Sequence, residues 1–163
     1  MTRRYPDLAA PGERVALFPG SFNPFTIGHL DILERGLAIF DRVIIVVGCN
    51  RNKPSADAEN ALEAIRHLTA GIPRADAMIW DGLTADAAKL TGARFLLRGA
   101  RSAADFEYER NMAEVNAMIS PGLETVNLPA RPSLAPLSSS MVRELSSFGY
   151  DVTQFLPSEK TSD

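Results

Sequence analysis

Short runs of apolar, often β-branched residues alternate along this chain with segments whose apolar positions recur every three or four residues. The runs RVALFP (14–19), RVIIVVG (42–48), AMIW (77–80), RFLLRG (94–99) and LETVNLP (123–129) read as buried strands, since continuous apolar stretches suit a sheet covered on both faces. Between the first two, Leu30, Leu33, Leu37 and Phe40 fall on one helical face. ADAENALEAIRHLTAG (56–71) and LTADAAKLTG (83–92) are rich in helix formers, and each ends at a glycine suited to the position just past a helix. DFEYERNMAEVNAMI (105–119) carries Phe106, Met112, Val115 and Ile119 at helical intervals. Strands alternating with helices predict a single α/β domain built on a five-stranded parallel sheet with right-handed crossovers. The expected boundaries are a flexible extension over 1–13, the domain over 14–157 and a flexible tail over 158–163.

Composition narrows the field. At 163 residues the chain is long enough to bury about 70% of its unfolded surface in one core. A net charge of −3 with no basic cluster argues against sequence-independent nucleic-acid binding. One cysteine, Cys49, excludes an internal disulfide framework and a cysteine-rich metal site. No secretory leader and no run long enough to cross a bilayer is apparent, which points to the cytoplasm.

In an open parallel sheet, ligands sit beyond the carboxyl ends of the strands, so the polar residues that follow strands are the ones to weigh. Four clusters do so. After the first strand, Gly20-Ser21-Phe22-Asn23-Pro24 must turn the chain toward a helix, with Gly20 and Gly28 able to take unusual dihedrals and let a ligand approach. Thr26 suits the N-cap, which puts Gly28 and His29 in a first turn that favours phosphate. The positive end of the helix should lower the pKa of His29 and keep it a neutral hydrogen-bond donor. After the second strand, Lys53 in GCNRNKP offers a point charge for phosphate. After the fourth, Arg98 and Arg101 flank Gly99 and can clamp an anion, bridge to Asp105, Glu107 or Glu109, or do both. After the fifth, Ser138, Ser139 and Ser140 open a helix with more hydroxyls than capping needs. His67, Arg35 and Glu34 read as solvated helix residues, Cys49 as a small buried side chain, and Trp80 as core or subunit contact.

These clusters carry a resemblance. GSFNPFTIGH is similar to the signature of the T/H-x-G-H nucleotidyltransferases, whose fold is a Rossmann-like, doubly wound α/β domain. With FTIGHLDILERGL, RGARSAADFEYE, SSSMVREL and DVTQFLP in the same order, the chain from Arg14 to Pro157 resembles the bacterial phosphopantetheine adenylyltransferases. It departs from their pattern in PSADAENALEA after the lysine, in Ser21 for the commoner Thr, and in Asn23 for the commoner Asp. The resemblance implies adenylyl transfer from ATP to 4′-phosphopantetheine, giving dephospho-coenzyme A and pyrophosphate by direct in-line attack. It also implies Mg²⁺ carried on phosphate oxygens, no protein metal ligands, and a homohexamer built as a dimer of trimers. Carried over residue by residue, Ser21 and Phe22 meet the nucleotide, with Ser21 also near the acceptor phosphate, and His29 donates to the α-phosphate. Lys53 and Arg98 hold phosphopantetheine, and Thr84, closing WDGLT, lines its arm. Gly99, Ala100, Arg101 and Glu109 contact ATP, and Leu134, Ala135, Pro136, Leu137 and Ser138 to Ser140 close over it. The alternatives are a sibling adenylyl- or cytidylyltransferase acting on nicotinate mononucleotide or a polyol phosphate, and a nucleotide-binding regulator without chemistry.

Overall fold

The computed structural model describes residues 5–50, 52 and 56–158. Five strands alternate with five helices: β1 (Val15–Gly20), α1 (Ile27–Leu37), β2 (Arg42–Gly48), α2 (Ala56–Thr69), β3 (Ala75–Trp80), α3 (Thr84–Thr91), β4 (Phe95–Ala100), α4 (Ala103–Ile119), β5 (Glu124–Pro129) and α5 (Ser139–Ser147), followed by one 3₁₀ turn (Thr153–Phe155). The sheet is parallel throughout, in the order β3-β2-β1-β4-β5. Chain order therefore reverses between β1 and β4, as in a doubly wound Rossmann-like domain, and that reversal opens a crevice at the strands' carboxyl ends.

The apolar runs are continuous because both faces of the sheet are covered. In β1, Ala16 and Phe18 join the cluster under α1 and α2, whereas Val15 and Leu17 join the one under α3. The α1 stripe behaves as its spacing predicts, with Leu33, Leu37 and Phe40 buried and Leu30 packed at the margin. Gly36 sits mid-helix for a reason that periodicity does not reveal: a Cβ there would collide with Leu97 of β4. Its absence lets α1 press onto the sheet directly behind the crevice.

One expectation needs correction, and two further features were not anticipated. Gly92 caps α3 in the left-handed conformation (φ 72°), but Gly71 does not, and α2 closes instead through the amide of Ile72 onto the carbonyl of Thr69. Residues 5–13 touch the domain at several points: Ala9 N–H donates to Thr91 O, Tyr5 packs edge-on against Trp80, and Arg42 donates to Asp7 O. The apolar positions of α4 turn outward. Phe106, Val115 and Ile119 are exposed, Met118 is 78% exposed, and the helix buries only Glu109.

Candidate active site

The turn after β1 builds the first wall. Neither Gly20 nor Gly28 takes a positive φ; the strained residue is Phe22, at φ 49°. Gly20 is needed for space, since a Cβ there would lie 2.9 Å from the Phe22 ring. The Phe22 ring is thereby tucked under the imidazole of His29, 5.0 Å away edge-on, with Phe25 beside it at 5.3 Å. The predicted nucleotide contact thus has its side chain buried beneath the site. The Asn23–Pro24 peptide that follows is cis.

Thr26 is the N-cap of α1, and His29 completes a capping box. His29 N–H donates to Thr26 Oγ1 (3.4 Å), and the Thr26 backbone N–H donates to His29 Nδ1 (3.0 Å). An Nδ1 that accepts cannot carry the ring proton, so the proton sits on Nε2. The imidazole's pKa falls from 6.5 to about 4, first because burial disfavours the cation, then because Arg101 and Arg98 repel it. The expected neutral donor is present, and burial with two guanidiniums keeps it neutral. Gly28 beside it meets almost nothing: a Cβ would touch only Thr26 Oγ1, at 3.4 Å.

The second wall comes from β4 and the start of α4. Arg98 makes a two-pronged bond to Glu109, Nε to Oε2 at 2.9 Å and Nη2 to Oε1 at 2.8 Å, and also donates to Pro19 O. Arg101 pairs with Asp105, whose carboxylate also accepts the Arg101 backbone N–H. Both arginines are therefore clamped by acids of α4, Arg101 by Asp105 in the first turn and Arg98 by Glu109 in the second, which fixes where their remaining N–H groups point. Glu109, expected to touch ATP, spends both oxygens on Arg98.

The segment after β5 supplies the third wall. Ser138 caps α5 by accepting from Met141 N–H, Ser139 Oγ donates to Pro24 O (2.7 Å), and Ser140 shares a hydrogen bond with Ser138. One hydroxyl caps, one ties α5 to the β1 turn, and one stays exposed. Arg143 reinforces that tie by donating to Asn23 O.

These walls enclose a cleft of about 450 Å³. Ser21, Phe22, His29, Arg98, Gly99, Arg101, Glu109, Leu134, Leu137 and the three serines all line it. Ala100, Ala135 and Pro136 do not; the backbone of Ala100 is engaged with Ala130, and that of Ala135 with Arg131. A second cavity of about 260 Å³ abuts the first across Arg98 and Glu109, and it contains Thr84 and Trp80. Lys53 lies outside the described residues. Asp105 lines the cleft as the arginine partner the sequence offered, and Asp31, Tyr108, Arg131 and Arg143 line it without having been singled out. Only Asp31, two residues past His29 on the same helix, left a sequence signal that could have found it. Among the described residues the cleft holds four arginines and three carboxylates, and each carboxylate is already bonded to an arginine. That balance suits an anionic ligand. No three His, Cys, Asp or Glu among these residues are grouped to hold a metal, and no helix is long and apolar enough to cross a membrane.

A crevice at the sheet's reversal point, with a neutral histidine in a helix's first turn and arginines aimed at it, belongs to the nucleotidyltransferase class. The cytidylyltransferase-like family model matches residues 17–145. The chain is similar to phosphopantetheine adenylyltransferases of Porphyromonas gingivalis, at 50% identity over 146 residues (89% of this chain, 95% of the relative). Similar relatives of that name occur in Latilactobacillus sakei, at 46% identity with 89% of each chain covered, and in Synechocystis, at 43% identity with 91% of this chain and 94% of the relative covered. The chain belongs to the phosphopantetheine adenylyltransferase family. A solved bifunctional NMN adenylyltransferase/ADP ribose pyrophosphatase from Francisella tularensis superposes with a TM-score of 0.65 at 15% identity, covering 91% of this chain and 46% of that one. At that identity the likeness is one of fold.

Proposed function

We propose that this protein transfers the adenylyl group of ATP to 4′-phosphopantetheine, forming dephospho-coenzyme A and releasing pyrophosphate. The observation that carries the reading is the meeting of the two cavities at Arg98: the larger lies among helix N-termini that favour a triphosphate, and the smaller, about 260 Å³, offers room for an acceptor's arm. The acceptor's phosphate, already anionic, attacks the α-phosphorus in line, so no protein nucleophile or strong base is required. Catalysis then consists of positioning and of stabilising charge as pyrophosphate leaves.

In this reading the Nε2–H of His29 donates to the α-phosphate as its charge rearranges. Being neutral, the ring neither traps the ground state nor needs reprotonation between turnovers. Arg98, held by Glu109, presents its free N–H groups to the acceptor phosphate, with Lys53 as second cation, and Thr84 lines the arm. Ser21, Gly99, Arg101 and the serines at the head of α5 take the nucleotide. Glu109 works through Arg98, and Phe22 works through His29. Mg²⁺ would neutralise the triphosphate; the cleft's carboxylates are committed to arginines, which fits an ion brought on phosphate oxygens and water. The outward apolar stripe of α4 supports self-association, and the family resemblance gives its form as a hexamer of two trimers, in the cytoplasm.

The test is pyrophosphate release with ATP or CTP against phosphopantetheine, nicotinate mononucleotide and glycerol phosphate as acceptors. The reading expects turnover with ATP and phosphopantetheine and at most traces with the other pairs. Preference for another acceptor would transfer the site to a sibling activity, and tight ATP binding without release would make the protein a regulator.

A further inference from the structure

Arg131 follows β5 and lies beside the end of β4, since the amide of Ala130 donates to Ala100 O (2.8 Å). Its Nε donates to Asp31 Oδ1 (2.9 Å), and Asp31 Oδ2 accepts from Arg35 (3.0 Å), which also holds Pro129 O (3.0 Å). Burial would raise the Asp31 pKa, but the bonds from Arg131 and Arg35 outweigh it and keep the carboxyl ionised. Asp31 is thus a fixed anchor that grips Arg131 by Nε alone. The rest of the guanidinium makes no bond among the described residues, and the side chain is 58% exposed on the cleft that Arg131 lines.

The two ends of the cleft differ. Phosphate is drawn to the N-termini of α1 and α5, which the bond from Ser139 to Pro24 O fastens together. The α4 N-terminus is already answered by Asp105, which accepts from Arg101 N–H. Beyond those N-terminal amides the lining includes Ile32 of α1, Ala130, Leu134 and Leu137, which can form an apolar slot for a nucleobase. Such a slot ordinarily needs a flat partner for the base. The cleft's phenylalanines lie beneath His29, and Tyr108 stands where the second cavity begins.

We propose that Arg131 is a binding residue for the nucleobase of the nucleotide, its guanidinium plane, oriented by Asp31, stacking on the base's face. A planar, weakly hydrated cation stacks on aromatic rings where an ammonium does not. The inference rests on the nucleotide reading of the cleft but not on the identity of the acceptor.

Calorimetric titration of the full-length protein with ATP and, separately, with inorganic tripolyphosphate tests it. Arg131→Ala should weaken ATP about tenfold, in line with the value of a desolvated stacked cation, and leave tripolyphosphate within twofold. Arg131→Lys should resemble the alanine variant rather than the parent. Equal weakening of both ligands, or restoration of ATP binding by lysine, would make Arg131 a phosphate contact and overturn the proposal. Unchanged ATP affinity in Arg131→Ala would overturn it as well while leaving adenylyl transfer standing. Absence of ATP binding by the parent would overturn the nucleotide reading itself and this inference with it.

Discussion

At the scale of single residues, His29 shows how a side chain can be assigned a chemical state by its neighbours. The Thr26 amide fixes the tautomer, three phenylalanine rings exclude water, and two arginines oppose protonation. The folded-state pKa of about 4 lies below the ordinary 6.5, so as pH falls the unfolded chain takes up the proton first. The contribution to stability is therefore fully present above pH 6.5 and lost progressively toward pH 4, by about 3 kcal/mol. Urea titrations across that window should show the loss in the parent and a flatter profile in His29→Gln. Glu109 gives a second residue-scale outcome. In the proposed mechanism its two-pronged bond aims Arg98 at the acceptor, so Glu109→Gln should raise KM for phosphopantetheine about tenfold and KM for ATP less than threefold, read from initial rates. Some of this was legible in the sequence: the threonine and histidine three apart at a helix start, and arginines straight after a strand. The positive φ of Phe22 and the pairing of Asp31 with Arg131, 100 residues away, were not, because only the folded chain brings those groups together.

At the scale of elements, the helix entries perform the work. Capping of α1 and capping of α5 are both side-chain bonds across three residues, and each leaves amides facing the cleft. Thr26→Val removes the hydroxyl of the cap but keeps the backbone N–H that fixes Nδ1. Thermal unfolding should therefore report a loss of about 1 kcal/mol, with kcat reduced less than fivefold. The strand and helix periods were legible because each apolar run had two faces to satisfy. The outward turn of α4 was not, since Phe106, Val115 and Ile119 repeat at the spacing of a buried face whether that face meets this domain or another copy. Nor did the 132–136 turn announce that Ala135 and Pro136 would face away from the cleft while Leu134 and Leu137 face it.

At the scale of the whole molecule, one topological fact places the site. Crossing from β1 to β4 brings the turns after β1, β4 and β5 to one edge of the sheet, where no pair of them adjoins in sequence. The opposite edge is tied by ordinary surface ion pairs such as Arg14–Asp41, which contribute little to stability. The parallel sheet could be anticipated from alternation alone, but the wall that two cavities share at Arg98 could not, since it forms where Arg98 of β4 meets Tyr108 and Glu109 of α4. The same helix carries the consequence for assembly. Met118 is the most exposed of its apolar residues, and the proposed self-association predicts that the parent sediments as a species larger than the single chain and that Met118→Glu sediments closer to the single chain.

In the proposed mechanism the neutral imidazole of His29 acts only as the adenylyl group moves. The direct measurement is the rate of pyrophosphate release by His29→Ala at saturating ATP and phosphopantetheine, with ATP affinity measured alongside. The predicted result is a fall in kcat of about a hundredfold, or roughly 3 kcal/mol of transition-state stabilisation, with ATP affinity within a few-fold of the parent. A kcat within threefold of the parent would contradict it.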